Sequence, residues 1–232
     1  MTILKDKRIA ITGAFGALGT GVVRSVLAEG ARVAALDHSS GPKVASDFAD
    51  ATLIGGVDLA DADAANAALA RAAESLGGLD ALVNIAGGFA WEKVEGGSLD
   101  TWDRMYRMNT RTVVAACQAA LPHLLGSAAG RIVNIGANGA TKAAAGMGAY
   151  AASKSGVARL TEALAEELKQ RGITVNALLP STIDTAPNRT DMPDADFSRW
   201  VRPEQIGDAI VFLLSDAATA ITGALIPIVG RV

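Results

Sequence analysis

The 232-residue chain reads as a single α/β domain spanning residues 1–232, a doubly wound parallel sheet with helices on both faces. Three observations predict this. Short β-branched runs are apolar almost without interruption, which suits strands buried on both faces. Between them lie alanine-rich stretches of 12 or more residues with helical spacing. The two patterns alternate along the whole chain, with glycines at several of the joints.

The first strand is read at Ile9–Thr12 and the first helix at Ala17–Glu29. Gly30 then stands where a left-handed residue is wanted, before a second strand at Arg32–Leu36. A third strand is read as ending in Val57-Asp58-Leu59, followed by a helix over Asp61–Leu76 that Gly77-Gly78 closes. The fourth strand, Ala81–Asn84, opens a long loop, Ala86–Ser98, ahead of one helix over Thr101–Leu125. The fifth strand, Arg131–Ile135, precedes a helix over Ala149–Arg171, ended by Gly172. The sixth, Ile173–Leu179, opens a second long loop, Pro180–Arg202, before a helix over Pro203–Ser215. Both loops follow strands, so they lie at the carboxyl edge of the sheet, where such folds bind ligands.

Composition narrows the function. Half of the residues are hydrophobic and 19% are charged, which excludes a disordered chain. A net charge of −3 gives no global pull toward nucleic acid or an anionic membrane, so neither is expected as a partner. Cys117 is the only cysteine, which excludes an intrachain disulfide and a cysteine zinc cage. His38 and His123 are too few to suggest a metal site. No uncharged apolar run reaches the roughly 18–20 residues of a membrane span. Residues 1–8 run straight into the first strand without a leader-like pattern, so a cytoplasmic setting is expected.

The first strand ends in Thr12-Gly13-Ala14-Phe15-Gly16-Ala17-Leu18-Gly19, which opens the first helix. Glycines there let the backbone turn tightly and approach a pyrophosphate, whose charge then meets the helix N-terminus. Asp37 ends the second strand, 18 residues beyond Gly19. A carboxylate at that place hydrogen-bonds the adenine ribose hydroxyls and repels a 2′-phosphate, which favours NAD(H) over NADP(H). Asp58, with Leu59 beside it, either accepts from an adenine amino group or caps the helix beginning near Asp61. Tyr150 and Lys154, spaced i, i+4 near the start of a helix, share one face. An ammonium beside a phenol is expected to draw its high pKa toward the working range, which makes the pair a candidate proton donor.

On these residues the chain resembles the short-chain dehydrogenase/reductase family over nearly its full length. The glycine loop, Asn84-Ile85-Ala86-Gly87, Asn109 and Tyr150-x-x-x-Lys154 occur in the family's order. The resemblance implies a Rossmann fold, a nicotinamide cofactor and hydride transfer to or from a small molecule, with Tyr150 as proton donor or acceptor. Lys154 would also hold the nicotinamide ribose, and Asn84, Ala86 and Gly87 would lie by the cofactor. Asn109 would open its helix to a proton-relaying water; otherwise it is a buried amide satisfied by backbone. A homodimer or homotetramer through the two long helices is the family's expectation.

Two residues depart from the usual pattern. Ala17 stands where ordinary members carry glycine, with Gly16 restoring a Gly13-x-x-Gly16-x-x-Gly19 spacing. Ala137 stands 13 residues before Tyr150, where most members carry a serine that binds the substrate oxygen. Either Asn138 or Thr141 replaces that hydroxyl, or the reaction builds no charge on a carbonyl oxygen. The dihydropteridine reductase branch also lacks the serine. The chain is similar to it in Ala86-Gly87-Gly88-Phe89-Ala90 and in the stretch from Leu179-Pro180-Ser181-Thr182-Ile183 to Met192 and Phe197-Ser198-x-Trp200. That resemblance implies a flat, conjugated imine acceptor, with Phe89 or Trp91 stacking on it. Pro180 and Ile183 would lie over the cofactor, and Met192, Phe197 and Trp200 would give the loop its apolar substrate contacts. The alternatives are an ordinary carbonyl or alcohol oxidoreductase and a non-catalytic NAD(H)-binding sensor.

Overall fold

The computed structural model describes residues 2–232. Its strands are β1 (Arg8–Thr12), β2 (Arg32–Leu36), β3 (Ala51–Ile54), β4 (Ala81–Asn84), β5 (Arg131–Ile135), β6 (Thr174–Pro180) and β7 (Leu225–Ile228). They form one parallel sheet in the order β3-β2-β1-β4-β5-β6-β7. The chain winds outward from β1 to β3, then returns past β1 to lay down β4. The pair β1–β4, with Thr12 opposite Asn84, is therefore the switch point, and a crevice opens beyond its carboxyl ends.

The unalternated strand composition has a direct cause. Ile9, Ile11, Val33, Ala35 and Val133 pack on one face against Val22, Val23 and Val26 of α1 (Ala17–Ala28) and Ile206 and Ile210 of α7 (Pro203–Leu214). Ala10, Leu36, Leu82, Ile132 and Val175 pack on the other against α2 (Ala62–Leu76), α4 (Thr112–Leu124) and α5 (Gly148–Leu168). Each fully buried Ile or Leu contributes about 1.5–3 kcal/mol relative to exposure, so burial on both faces dictates what a strand residue is. On the second face α2 and α4 meet through small residues, Ala65, Ala68, Ala72, Ala116 and Ala120.

Local signals hold at the joints. The Asp61 side chain caps α2 by accepting from the Ala64 amide, and Gly77 closes that helix at φ 76°. Three boundaries differ from expectation. The third strand is Ala51–Ile54, and Val57-Asp58-Leu59 lie in the turn beyond it. The run stops because Gly56 takes φ 74°, while Gly55 packs so close to Ser40 that a Cβ would stand 2.3 Å from its carbonyl oxygen. The single helix expected over 101–125 is three pieces: α3 (Leu99–Met105), a π-helical turn (Tyr106–Arg111), and α4. The second long loop contains the short helix α6 (Ala186–Asp191), started by Thr185. The last strand, β7, has no strong sequence signal, because Pro227 interrupts its short apolar run at the sheet edge.

Candidate active site

A cleft of about 1210 Å³ runs along the carboxyl ends of the strands from the glycine loop to Tyr150. Its floor is built from close backbone approaches. Gly13 takes φ 66°, and a Cβ there would lie 2.6 Å from the Ala86 amide nitrogen. A Cβ on Gly19 would lie 2.1 Å from the Gly13 carbonyl oxygen. Gly16 is the N-cap of α1 without a side-chain cap, and the first turn has no acidic residue. The α1 N-terminus is therefore a set of donors and a positive dipole end facing the cleft, suited to a pyrophosphate. The Cβ on Gly16 would meet nothing nearer than 3.5 Å, so the protein itself does not demand glycine there.

Gly13, Phe15, Gly16, Ala17, Leu18 and Gly19 line this end, as do Asp37, Asp58 and Leu59. Asp37 is fixed by two backbone amides, accepting from Phe15 N at 2.9 Å and Ser39 N at 2.8 Å. Asp58 does not cap α2; it accepts from Ala60 N and pairs with Arg107 at 2.6 Å. Those two contacts hold its carboxyl below the usual carboxylate range.

Further along, Ala86, Gly87, Tyr150, Lys154, Pro180 and Ile183 line the same cleft. Tyr150 meets the Phe89 ring edge-on, with centroids 4.9 Å apart. Lys154 is buried and donates from Nζ to the Ile135 carbonyl at 2.8 Å. The expected lowering of the phenol by the ammonium does not occur; desolvation governs both groups. Burial pushes Tyr150 up to about 12 and Lys154 down to about 8. At neutral pH the pair is thus a phenol and an ammonium, both donors, which suits proton delivery to a reduced substrate.

The depressed lysine makes stability depend on pH. Between about 8 and its ordinary 10.5, the unfolded chain holds a proton that the folded chain has lost, so this group's contribution rises with pH through that window. The raised Tyr150 acts in the opposite sense, but only above its ordinary 10.0. Unfolding free energies from urea titrations at pH 8 to 10 should therefore climb more in the wild type than in Lys154→Met, by on the order of 1–3 kcal/mol. Parallel pH profiles for the two proteins would contradict this.

Asn109 lies in the π turn, fully buried and outside the cleft lining. Its Oδ1 accepts from Gly88 N at 2.9 Å, and its Nδ2 donates to Gly88 O at 3.0 Å and Ser153 Oγ at 2.9 Å. Ser153 in turn donates to the Tyr150 carbonyl at 2.7 Å. The side chain is thus a clamp between the 86–88 loop and the helix carrying Tyr150, the backbone-satisfied alternative. A Cβ on Gly87 would fall 2.5 Å from Asn109 Oδ1 and 3.3 Å from Lys154 Nζ, so the clamp and the lysine leave room only for glycine.

Several expected contacts lie elsewhere. Asn84 is buried beneath the cleft, donating to Asn134 Oδ1 at 2.9 Å, and Asn134 donates to Thr161. Its place at the end of β4 puts the amide inside the sheet layer. Ala137 is 5% exposed and, like Asn138, outside the cleft lining. Thr141 commits its hydroxyl to the Asn138 carbonyl at 2.7 Å, which removes it as a substitute for the serine. Phe89 lines the cleft, but Trp91 does not; it lies over Gly146, where a Cβ would be 2.3 Å from its ring. The second loop meets the cleft through Ile183, Ala186 and Pro187 rather than through Met192, Phe197 and Trp200. Phe197 packs on Trp200 at 4.8 Å and under Arg189, whose guanidinium is paired with Asp184. Trp200 is 6% exposed and anchors the loop instead of facing a ligand.

Sequence spacing missed Ser153, which links Asn109 to Tyr150, and the cations Arg24, Lys43, Arg104 and Arg107 along the cleft. Only Ser153 carried a usable signal, one residue before Lys154. Among the described residues no group of three metal-ligating side chains is brought together, and no helix is long and apolar enough to cross a membrane.

A family model described as short chain dehydrogenase matches residues 7–196. The chain belongs to the short-chain dehydrogenase family. It is similar to 2-(S)-hydroxypropyl-CoM dehydrogenase 3 of Xanthobacter autotrophicus, 32% identical with 98% of this chain and 96% of that one covered. It is also similar to the structure of a short chain dehydrogenase from Burkholderia cenocepacia in complex with NADP, 34% identical over 98% of both chains, TM-score 0.90. A third likeness is the 3-ketoacyl-(acyl-carrier-protein) reductase from Brucella melitensis complexed with NADH, 27% identical over 98% of both chains, TM-score 0.89. This short-chain dehydrogenase is accordingly an oxidoreductase with a nicotinamide cofactor. The glycine cradle and the open N-terminus of α1 fit that group.

Proposed function

We propose that the protein is an NAD(H)-preferring oxidoreductase in which Tyr150 exchanges the proton with a small-molecule substrate. The observation that carries this is the convergence of Tyr150 and Lys154 with the glycine cradle in one cleft. The glycine loop would hold the pyrophosphate, Asp37 the adenine ribose, Asp58 and Leu59 the adenine side, and Lys154 the nicotinamide ribose. Ala86, Gly87, Pro180 and Ile183 would flank the cofactor. When bound, the cofactor supplies or accepts hydride. Tyr150 delivers the proton from its Oη, Lys154 offers a positive charge beside it, and Asn109 positions both through Gly88 and Ser153.

The substrate reading follows from Ala137. Loss of one oxyanion donor costs on the order of 10²–10³ in rate where a reaction needs it. A quinonoid dihydropteridine, or a similar conjugated imine, spreads its developing charge over nitrogens and needs no hydroxyl at that place. Phe89, half exposed beside Tyr150, offers the flat ring a stacking edge. A second reading, oxidation and reduction of alcohols and ketones, is favoured by the likeness to a hydroxypropyl-CoM dehydrogenase, with Asn138 or a water replacing the serine. NADH oxidation with a freshly generated quinonoid dihydropterin, run beside NADPH and a ketone panel, separates them. Under the imine reading Ala137→Ser leaves pterin turnover within a few fold and gives no large gain on ketones. A gain of about 10² or more on a ketone would transfer the function to the second reading.

The assembly we propose is a homodimer or homotetramer through the outer faces of α4 and α5. The exposed Trp102 and Tyr106 on the approach to α4 support it, and sedimentation equilibrium tests it. A cytoplasmic location is in keeping with the one cysteine being free and buried.

A further inference from the structure

The end of the cleft beside Asp37 carries more charge than ribose recognition requires. Arg24 lines it from the second turn of α1, and the short turn 45–48 brings Asp47 to the same wall. Arg24 Nη2 and Asp47 Oδ2 are 2.5 Å apart, with the guanidinium half exposed and the carboxylate largely covered. Glu204, in the first turn of α7, acts on the same guanidinium and lines the same cleft. Asp47 is held firmly in place. Its neighbour Phe48 is 3% exposed and meets the Phe15 ring edge-on at 5.4 Å, and the Phe15 amide donates to Asp37. The two carboxylates are therefore joined through two packed rings, on one side of the same pocket.

We propose that Asp47 is a specificity-determining residue for the cofactor: its ion pair withholds Arg24 from a 2′-phosphate. The proposal rests on the nicotinamide-dinucleotide reading of the cleft and extends its preference from one carboxylate to two. A 2′-phosphate carries close to two negative charges at neutral pH and needs charge-assisted donors. To gain Arg24 it would have to displace Asp47 while facing Asp37 and Glu204. A free 2′-hydroxyl needs no cation, so the same pair costs NAD(H) nothing.

Dissociation constants of NADH and NADPH, read by nucleotide fluorescence on the full chain, test this. Asp47→Asn should lower the ratio Kd(NADPH)/Kd(NADH) by about tenfold, with the gain shrinking as salt rises. The gain should vanish in Arg24→Gln/Asp47→Asn, and Asp47→Glu should keep the wild-type ratio. An unchanged ratio in Asp47→Asn overturns the proposal, as does an equal gain in the double variant. Failure of the underlying reading looks different: a wild type that binds neither dinucleotide overturns both. One that prefers NADPH overturns the Asp37 assignment, yet the Asp47→Asn ratio still decides the role of Asp47.

Discussion

Tyr150→Phe should lose turnover by about 10²–10⁴-fold while binding NADH within a few fold of the wild type. The substitution removes one oxygen and keeps the ring. The edge contact with Phe89 therefore survives, and so does the Ser153 bond, which is made to the backbone carbonyl of residue 150. What disappears is the only side-chain phenol at the cleft, the group that burial keeps protonated far above neutral pH. Steady-state rates with whichever acceptor the substrate panel identifies, together with a fluorescence titration of NADH, give the two numbers required. Retained turnover would move the proton donor elsewhere. Turnover and NADH binding lost together would make Tyr150 a structural residue.

Gly19→Ala should destabilise the fold by about 1–3 kcal/mol and weaken NADH binding by an order of magnitude or more. The added carbon would stand 2.1 Å from the Gly13 carbonyl oxygen and 2.7 Å from the Ala14 Cα. Neither atom has room to retreat, because Ala14 is fully buried and Gly13 is itself pressed against the Ala86 amide. Any relief must come from moving the loop that shapes the α1 N-terminus, so stability and binding fall together. Gly16→Ala is the contrast: with its nearest neighbour at 3.5 Å, it should leave the thermal midpoint close to wild type and weaken NADH alone. A Gly19→Ala protein with unchanged melting and binding would show that the loop is looser than its contacts imply.

Residues whose place depends on local pattern are legible in the sequence. Ile9 and Ile11 alternate with Ala10 between two cores, so the strand had to be apolar throughout, and that signal reads directly as a parallel sheet. That Asp37, Tyr150 and Lys154 face one cleft is legible because each sits at a fixed offset from an element boundary. Boundaries set by tertiary contact are not. Val57 and Leu59 look like strand residues and are buried like them, but Gly55 and Gly56 had already turned the chain. The family resemblance implies that Asn84 lies by the cofactor and that Trp200 meets the substrate. In the fold, both are spent on holding the scaffold. Which way a side chain leaves its backbone, and what has already claimed its polar atoms, are questions that one-dimensional spacing does not answer.

The π turn at residues 106–111 has an evolutionary consequence. It holds one residue more than an α-helical turn and absorbs it as a bulge, so α4 continues nearly in phase with α3. Deleting one residue within it would restore a regular helix with α4 in nearly the same phase, because a π turn absorbs one extra residue. Val113, Ala116 and Ala120 would still face α2, but the widened turn that carries the Asn109 amide to Gly88 would be lost. The exposed loop at 92–98 accepts changes of length without such a penalty. Lineages descending from this chain are therefore free to lengthen or trim that loop, while a residue lost from the π turn costs the Asn109 clamp.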